Sequence, residues 1–411
     1  MRLKFLATIC RIVILVPILF VPVARAQSNG ATEQVLFLFG ESAPNSGDQS
    51  VTSLTWDDAG NLYGSTIAGG LYPGGIVFKM TNLNGTWSFT VLYDFGSISG
   101  DGSYSASPLV FDASGNLYGT TQQGGAHGYG TVFELIPNQS GQWTEKQLYS
   151  FEGGTDGAYP QGNIALDSEG NIYGITVSGG SSSGFGYGTV FEVAPTRSGT
   201  WQERLLHRFT GGRDGSSPYG GVTLGSSGNL FGTTLGGGTD SHGVVFEFVP
   251  AGNEWQERVI HSFSGAEDGS QPFGNLIFDA PGNLYGTVGS GSVFEMTPTS
   301  SSWHFHTLYT FSGETGPSLP YDGVVRDSSG NLYGTTFYGG ANNLGTVFEV
   351  SPSSSGKWTM QILYSFIHDI QDETDGYYPK GGLILDSSGN LYGTTNYGGY
   401  YNSGTVFEVT P

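Results

Sequence analysis

Seven histidines and one cysteine are the scarcest chemistry-bearing side chains of this 411-residue chain, and their spacing offers little. No His-Glu-x-x-His occurs. His304 and His306 fall on one face of a strand-like run, which fits a weak metal pair or two solvated side chains. His207 and His261 stand where sister segments carry the tyrosine of Leu-Tyr-x-Phe, so they read as strand substitutions. Gly180-Ser-Ser-Ser-Gly184 has the letters of a nucleophile elbow, and Gly184-Phe-Gly-Tyr-Gly188 suggests a dinucleotide loop. The first lies in a Ser/Gly loop without strand–turn–helix context, and the second runs into a strand, so neither chemistry is supported. The catalytic residues are therefore unknown from sequence, and no metal site is assigned.

What recurs instead is carboxylate beside aromatic ring. Asp-Gly steps stand at Asp101, Asp156, Asp214, Asp268 and Asp375, and loop tyrosines at Tyr129, Tyr159, Tyr187, Tyr338 and Tyr397. Rings beside acids suit a neutral sugar or a cation, and these ten residues are the candidate ligand contacts. The competing reading makes the Asp-Gly steps turn formers and the tyrosines covers over sheet edges. No motif requires a cofactor; calcium is compatible with the acidic loops, but no ligand set calls for it. With 14 Lys and Arg against 35 Asp and Glu the formal charge is −21, which excludes a nucleic-acid partner that would need clustered basic side chains.

The elements that hold these residues follow from a repeat. Gly-Asn-[Leu/Ile]-[Tyr/Phe]-Gly begins at Gly60, Gly115, Gly170, Gly228, Gly282, Gly330 and Gly389, at intervals of 55, 55, 58, 54, 48 and 59 residues. Each copy is followed by Gly-x-Val-Phe-[Glu/Lys], and six then add a tryptophan: Trp87, Trp143, Trp201, Trp255, Trp303 and Trp358. With a short apolar run before each Gly-Asn, every repeat holds four strand-sized segments separated by Gly, Asn, Asp, Ser and Pro. Bulky residues occupy both parities, as at Leu117-Tyr118 and Val132-Phe133, so each sheet is expected to be covered on both faces. Glycine, 69 residues in all, argues against long helices. The expected fold is all-β: a seven-bladed β-propeller of four-stranded blades, with the tryptophans wedged between blades.

The chain ends support closure. The seventh copy stops at Pro411 without its tryptophan strand, while an orphan Val35-Leu-Phe-Leu-Phe39 precedes the first. The N-terminal strand is expected to complete the last blade. In each Asp-x-x-Gly-Asn the carboxylate is expected to accept N–H bonds across a tight turn. The fifth connection between second and third strands, Gly286 to Gly291, is cut short and leaves a notch.

Residues 1–26 have the layout of a secretory signal peptide: Arg2, Lys4 and Arg11, the apolar run Ile12 to Val23, then Ala24-Arg25-Ala26. Twelve apolar residues interrupted by Pro17 and Pro22 are too few for a span of ~20. Cleavage after Ala26 would leave a cysteine-free chain of charge −25 with no membrane span. Residues 27–34 then read as a linker and 35–411 as a single domain, in a monomer that is secreted, extracellular or periplasmic.

Asp-x-x-Gly-Asn-Leu-Tyr-Gly-Thr-Thr, then Gly-Gly, then Gly-Thr-Val-Phe-Glu, resembles the Gloeo/Verruco (GloVer) tandem repeat of exported bacterial proteins, in all seven copies. The resemblance implies a secreted or surface repeat protein and brings no catalytic residues with it. More loosely, Asp-x-x-Gly-Asn-Leu-Tyr is similar to the turn of NHL-type and gluconolactonase-like propellers, but no metal-ligand set of that enzyme class falls on this sequence. The expected function is a non-catalytic binding or scaffold module for a glycan or a surface protein. The alternatives are a sugar- or lactone-directed hydrolase or lyase at the channel mouth, and a purely structural envelope protein.

Overall fold

The computed structural model describes residues 18–20, 24–27, 30–40, 45–182, 185–252, 254–312, 316–368 and 375–411. The charged start of the expected signal peptide, Cys10 and part of Gly180–Gly184 lie outside them. Among the described residues the protein is all-β, without helices, and none is long and apolar enough to cross a membrane.

Each repeat folds as an antiparallel meander in sequence order. In the third copy the strands are Ala158–Leu166, Ile172–Ser178, Thr189–Pro195 and Trp201–Arg208, paired one to the next. The third-to-fourth pairing slips at the same Val-Phe step every time, for example Val77/Phe78, Val190/Phe191 and Val347/Phe348. Such a bulge adds local right-handed twist. The first strands are the weakest: five of them are two residues long, such as Val110–Phe111 and Ile277–Phe278. The third and fourth sheets touch through a parallel bridge, Asn163 to Gly221.

The orphan N-terminal segment pairs where the last repeat lacks a strand. Thr32–Leu38 runs antiparallel to the final strand Thr405–Thr410, with Val35 opposite Phe407 and Leu38 opposite Thr405. It begins at Thr32, inside the expected linker, because Thr32, Glu33 and Gln34 continue the same ladder. Ala24–Ala26 adds a further strand outside it, and Ile18–Phe20 lies along Phe89 to Trp87 of the first repeat.

The cores lie between successive sheets, which accounts for bulky residues on both parities. Tyr63, Val77 and Phe95 of the first repeat pack with Leu117, Phe133 and Leu135 of the second. Leu36, Phe37 and Phe39 pack with Leu62, Phe78 and Tyr392. The glycine of each Leu-Tyr-Gly belongs to this packing: a Cβ on Gly119 would stand 2.6 Å from Cζ of Phe133, so only glycine admits the ring.

The Asp-x-x-Gly-Asn turn is tied as its sequence implies. Asp57 Oδ1 accepts from the N–H groups of Ala59 (3.0 Å) and Asn61 (2.8 Å), and Oδ2 from Asn61 Nδ2 (2.7 Å) and Tyr63 OH (3.0 Å). Burial alone would push the carboxyl pKa of Asp57 up, but these bonds outweigh it and hold the pKa below its ordinary value. The fourth repeat has Gly225 there, and Asn229 Nδ2 turns to Glu247 Oε1 at 2.6 Å.

Candidate functional site

At the entry to each repeat, ahead of the short first strands and inside long ones such as Ala158–Leu166, the chain takes a left-handed step. Gln49, Tyr104, Tyr159, Ser217, Gln271, Leu319 and Tyr378 have φ of 57, 64, 60, 52, 58, 58 and 55°. Seven non-glycine residues in this sparsely populated region occupy one column of the repeat, and strain of this kind persists only where surrounding contacts fix it. In six of them the N–H donates to a carbonyl in the preceding copy's connection between second and third strands, as in Tyr159 to Tyr129 at 2.9 Å and Ser217 to Tyr187 at 2.8 Å. The seventh, Leu319, follows the shortened fifth loop. The step turns the residue two positions later inward, and those residues are Val51, Ala106, Gln161, Tyr219, Phe273, Tyr321 and Lys380. All seven line one pocket of about 210 Å³ at the mouth of the first strands.

The pocket has a ringed side and a polar side. Tyr219, Phe273 and Tyr321 form an arc with centroids 5.4 and 5.0 Å apart, and Lys380 Nζ stands 5.6 Å from the Tyr321 centroid. Burial raises the Tyr321 hydroxyl pKa, the Lys380 ammonium opposing it, so the phenol stays neutral. Opposite are Gln122 and Gln161, hydrogen-bonded to each other, and Asn163. Asp322 is the one acid of the lining, in a column held otherwise by Thr52, Ser107, Gly162, Gly220, Gly274 and Gly381. Burial pushes its pKa up against hydrogen bonds that pull it down. Its Oδ2 accepts from Ser53 Oγ (2.8 Å) and the Gly382 N–H (2.7 Å), and Oδ1 from the Gly323 N–H (2.7 Å). Oδ2 thus ties the sixth repeat to the seventh and first, while Oδ1 is held by the N–H of its own neighbour. A carboxylate so engaged is poorly placed for proton transfer, and no nucleophile–base pair accompanies it.

The ten loop residues singled out from the sequence lie elsewhere, and none lines this pocket. The five aspartates turn toward the fourth strand of their own repeat. Tyr93 OH donates to Asp101, Tyr149 OH to Asp156 and Tyr364 OH to Asp375, each at 3.0 Å. His207 and His261 meet Asp214 and Asp268 at 3.3 and 3.1 Å. Turn N–H groups also donate to them, as Gly96 to Asp101 at 2.8 Å. Of the tyrosines, Tyr129 packs against Tyr159 (5.9 Å), Tyr338 against Tyr378 (5.5 Å) and Tyr397 along Tyr377 (5.9 Å), while Tyr187 is 52% exposed. The tryptophans sit on second-strand rings of the preceding repeat: Trp143 on Tyr63, Trp255 on Tyr173, Trp303 on Phe231, and Trp87 on Tyr392 across the chain ends. Trp201 and Trp358 pack in the equivalent clusters.

Opposite three of the aspartates stands a glutamate from the next repeat. Burial, then repulsion by Asp101, Asp156 and Asp214, pushes the carboxyls of Glu145, Glu203 and Glu257 up to about 7. The folded protein holds these protons more tightly than the unfolded chain, so their stabilisation is complete below about 4.5 and is lost as pH rises through about 7. His207 and His261, lowered by burial, act in the opposite sense on the acid side. The three glutamates outnumber the two histidines, so the melting temperature is expected to fall as pH rises from about 4.5 to about 7 and to level off above it, and to fall less steeply in a Glu145→Gln/Glu203→Gln/Glu257→Gln protein. A flat wild-type profile in calorimetry would contradict these placements.

The Gloeobacter/Verrucomicrobia repeat model matches residues 23–201 and 288–411. The chain belongs to this repeat family. No curated protein matches the sequence. Among solved structures, this family member is similar to a candidate 6-phosphogluconolactonase from Bacteroides uniformis, with 16% identity and TM-score 0.51 over 84% of this chain and 88% of that one. A candidate oxidoreductase (glucose dehydrogenase) from Thermus thermophilus gives 16% identity and TM-score 0.43 over 75% and 94%. A Trichoderma reesei carbohydrate-active enzyme of family AA12 gives 14% and 0.43 over 95% and 97%. The first of these likenesses is one of fold, propeller-like and all-β.

In this family member the pocket column was hidden by the very feature that reveals the repeat. Constant residues mark the turns, whereas the pocket is built from the position two after the left-handed residue, which follows serine in the first two copies and proline in the other five and reads Val, Ala, Gln, Tyr, Phe, Tyr, Lys.

Proposed function

We propose that the protein is a seven-bladed propeller, closed by its N-terminal strand, that is exported and binds a small acidic sugar or similar hydroxyl-rich carboxylate at the mouth of its channel without transforming it. The observation that carries this reading is that each repeat lends one side chain to a single pocket and that together they combine rings, an amide and one ammonium. The ring arc offers stacking surface, the amides offer donors and acceptors for hydroxyls, and Lys380 supplies the one ammonium for a carboxylate. A volume near 210 Å³ suits one sugar ring or the end of a longer glycan. The saturated Asp322 carboxylate favours binding over the acid–base chemistry that a hydrolase or lyase would need.

A glycan array probed with the full chain, followed by assays with chromogenic glycosides and lactones, tests the proposal. Retention on uronic-acid-terminated glycans, without turnover, is the expected result. Turnover of any of these substrates, or no retention at all, would overturn it.

A further inference from the structure

Five junctions between outer strands have a slot in which the loop aspartate, the fourth-strand ring and a side chain from the next repeat meet. In two slots the ring is a tyrosine and the third group a glutamate: Tyr93, Asp101 and Glu145, then Tyr149, Asp156 and Glu203. At the chain ends the slot holds Tyr364, Asp375 and Glu33, and a guanidinium enters it. Arg25 Nη1 stands 3.6 Å from Asp375 Oδ1 and 4.0 Å from Glu33 Oε2, with Glu33 fully buried. Cleavage after Ala26 would remove that guanidinium and leave the two acids with the same demand for positive charge.

The slot between the third and fourth repeats differs. His207 replaces tyrosine, and its Nε2 stands 3.3 Å from Asp214 Oδ2 and 3.8 Å from Glu257 Oε2. One ligand atom from each of the three residues falls within 4.8 Å of the others. Glu257 Oε1 is buried without a hydrogen-bond partner among the described residues. A neutral imidazole has one N–H at Nε2 to give and two carboxylates facing it, so the cluster lacks positive charge. Phe209 and Phe248 flank the imidazole, with centroids at 4.9 and 5.1 Å, and fix its plane. The three side chains keep 14–21% of their surface exposed, enough for an ion to enter. The next slot is a natural control: His261 meets Asp268 at 3.1 Å, but Phe305 fills the third position, stacked 4.0 Å from the imidazole.

We propose that His207, Asp214 and Glu257 bind one divalent transition-metal ion of the zinc class. One nitrogen and two carboxylate oxygens are a borderline-soft donor set, unlike the all-oxygen shells of calcium. Ligand atoms about 2.1 Å from a tetrahedral ion lie about 3.4 Å apart, close to the two spacings measured at His207 Nε2. The ion would join the outer strands of two repeats, away from the channel mouth and independent of the ligand proposed there.

The test is isothermal titration of the untagged, chelator-stripped full chain with Zn²⁺ and, separately, Ca²⁺, with bound metal counted by mass spectrometry after gel filtration. All proteins carry His304→Ala and His306→Ala, so that the neighbouring imidazoles, 6.4 Å apart, do not contribute. One equivalent of Zn²⁺ is expected. His207→Tyr restores the ring of the sister slots and should keep the fold while weakening binding at least tenfold, as should Glu257→Gln. Glu203→Gln, in a tyrosine slot, should leave the equivalent intact. No zinc bound, zinc retained undiminished in His207→Tyr, or binding of Ca²⁺ in preference to Zn²⁺ would each overturn the proposal.

Discussion

Deletion of residues 32–39 is expected to abolish cooperative folding at 37 °C or to lower the melting temperature by well over ten degrees, with aggregation. Val35, Leu36, Phe37, Leu38 and Phe39 are each no more than 2% exposed. At about 1.5–3 kcal/mol per buried side chain, their loss costs on the order of 10 kcal/mol, as much as the whole stability of an ordinary domain. Phe37 stacks on Phe89 at 3.9 Å and Phe39 meets Phe78 edge-on at 5.4 Å, so the first repeat loses its cover along with the last. The deletion also bares the ladder edge of Thr405–Thr410, an open template for pairing with another chain. Differential scanning calorimetry and light scattering read both effects. A melting curve like that of the wild type would mean that the strand merely decorates the edge.

Trp87→Ala should cost about 3–5 kcal/mol, the largest effect of any single tryptophan. Its side chain is 3% exposed and lies against Tyr392, joining the first repeat to the last. Trp201 and Trp358 are only half-buried on their neighbours, and their truncation should cost less, about 1–3 kcal/mol. Chemical denaturation of the three variants gives the ordering directly. Equal losses would show that the junction at the chain ends is no more demanding than the others.

The fold was legible where physics repeats itself. Six copies of Asp-x-x-Gly-Asn and seven of Gly-x-Val-Phe-[Glu/Lys] announce turns and core strands, because a tight turn needs glycine and its capping carboxylate and a sheet covered on both faces needs bulk on both parities. The orphan Val35–Phe39 was legible through the strand missing after Thr405–Thr410. The candidate site was not. Asp101, Asp156, Asp214, Asp268 and Asp375 drew attention as acids beside rings, yet Asp101 and Asp375 are buried and all five accept hydrogen bonds from hydroxyl, imidazole or N–H groups of their own repeat. That outcome turns on which way a loop side chain points, which spacing does not encode. Lys380, Tyr321 and Asp322 were equally invisible, since convergence of seven distant positions on one pocket belongs to the closed arrangement and to no single segment.

Isothermal titration of a uronic acid into the wild type, Tyr321→Ala, Lys380→Ala and Tyr187→Ala proteins bears most directly on the claim that the channel mouth binds the ligand. Saturable one-to-one binding is expected in the wild type, weakened about tenfold by loss of the Tyr321 ring and about ten- to a hundredfold by loss of the Lys380 ammonium, and unchanged in Tyr187→Ala. Binding that survives both mouth substitutions, or that disappears with Tyr187 on the outer loops, would contradict the account.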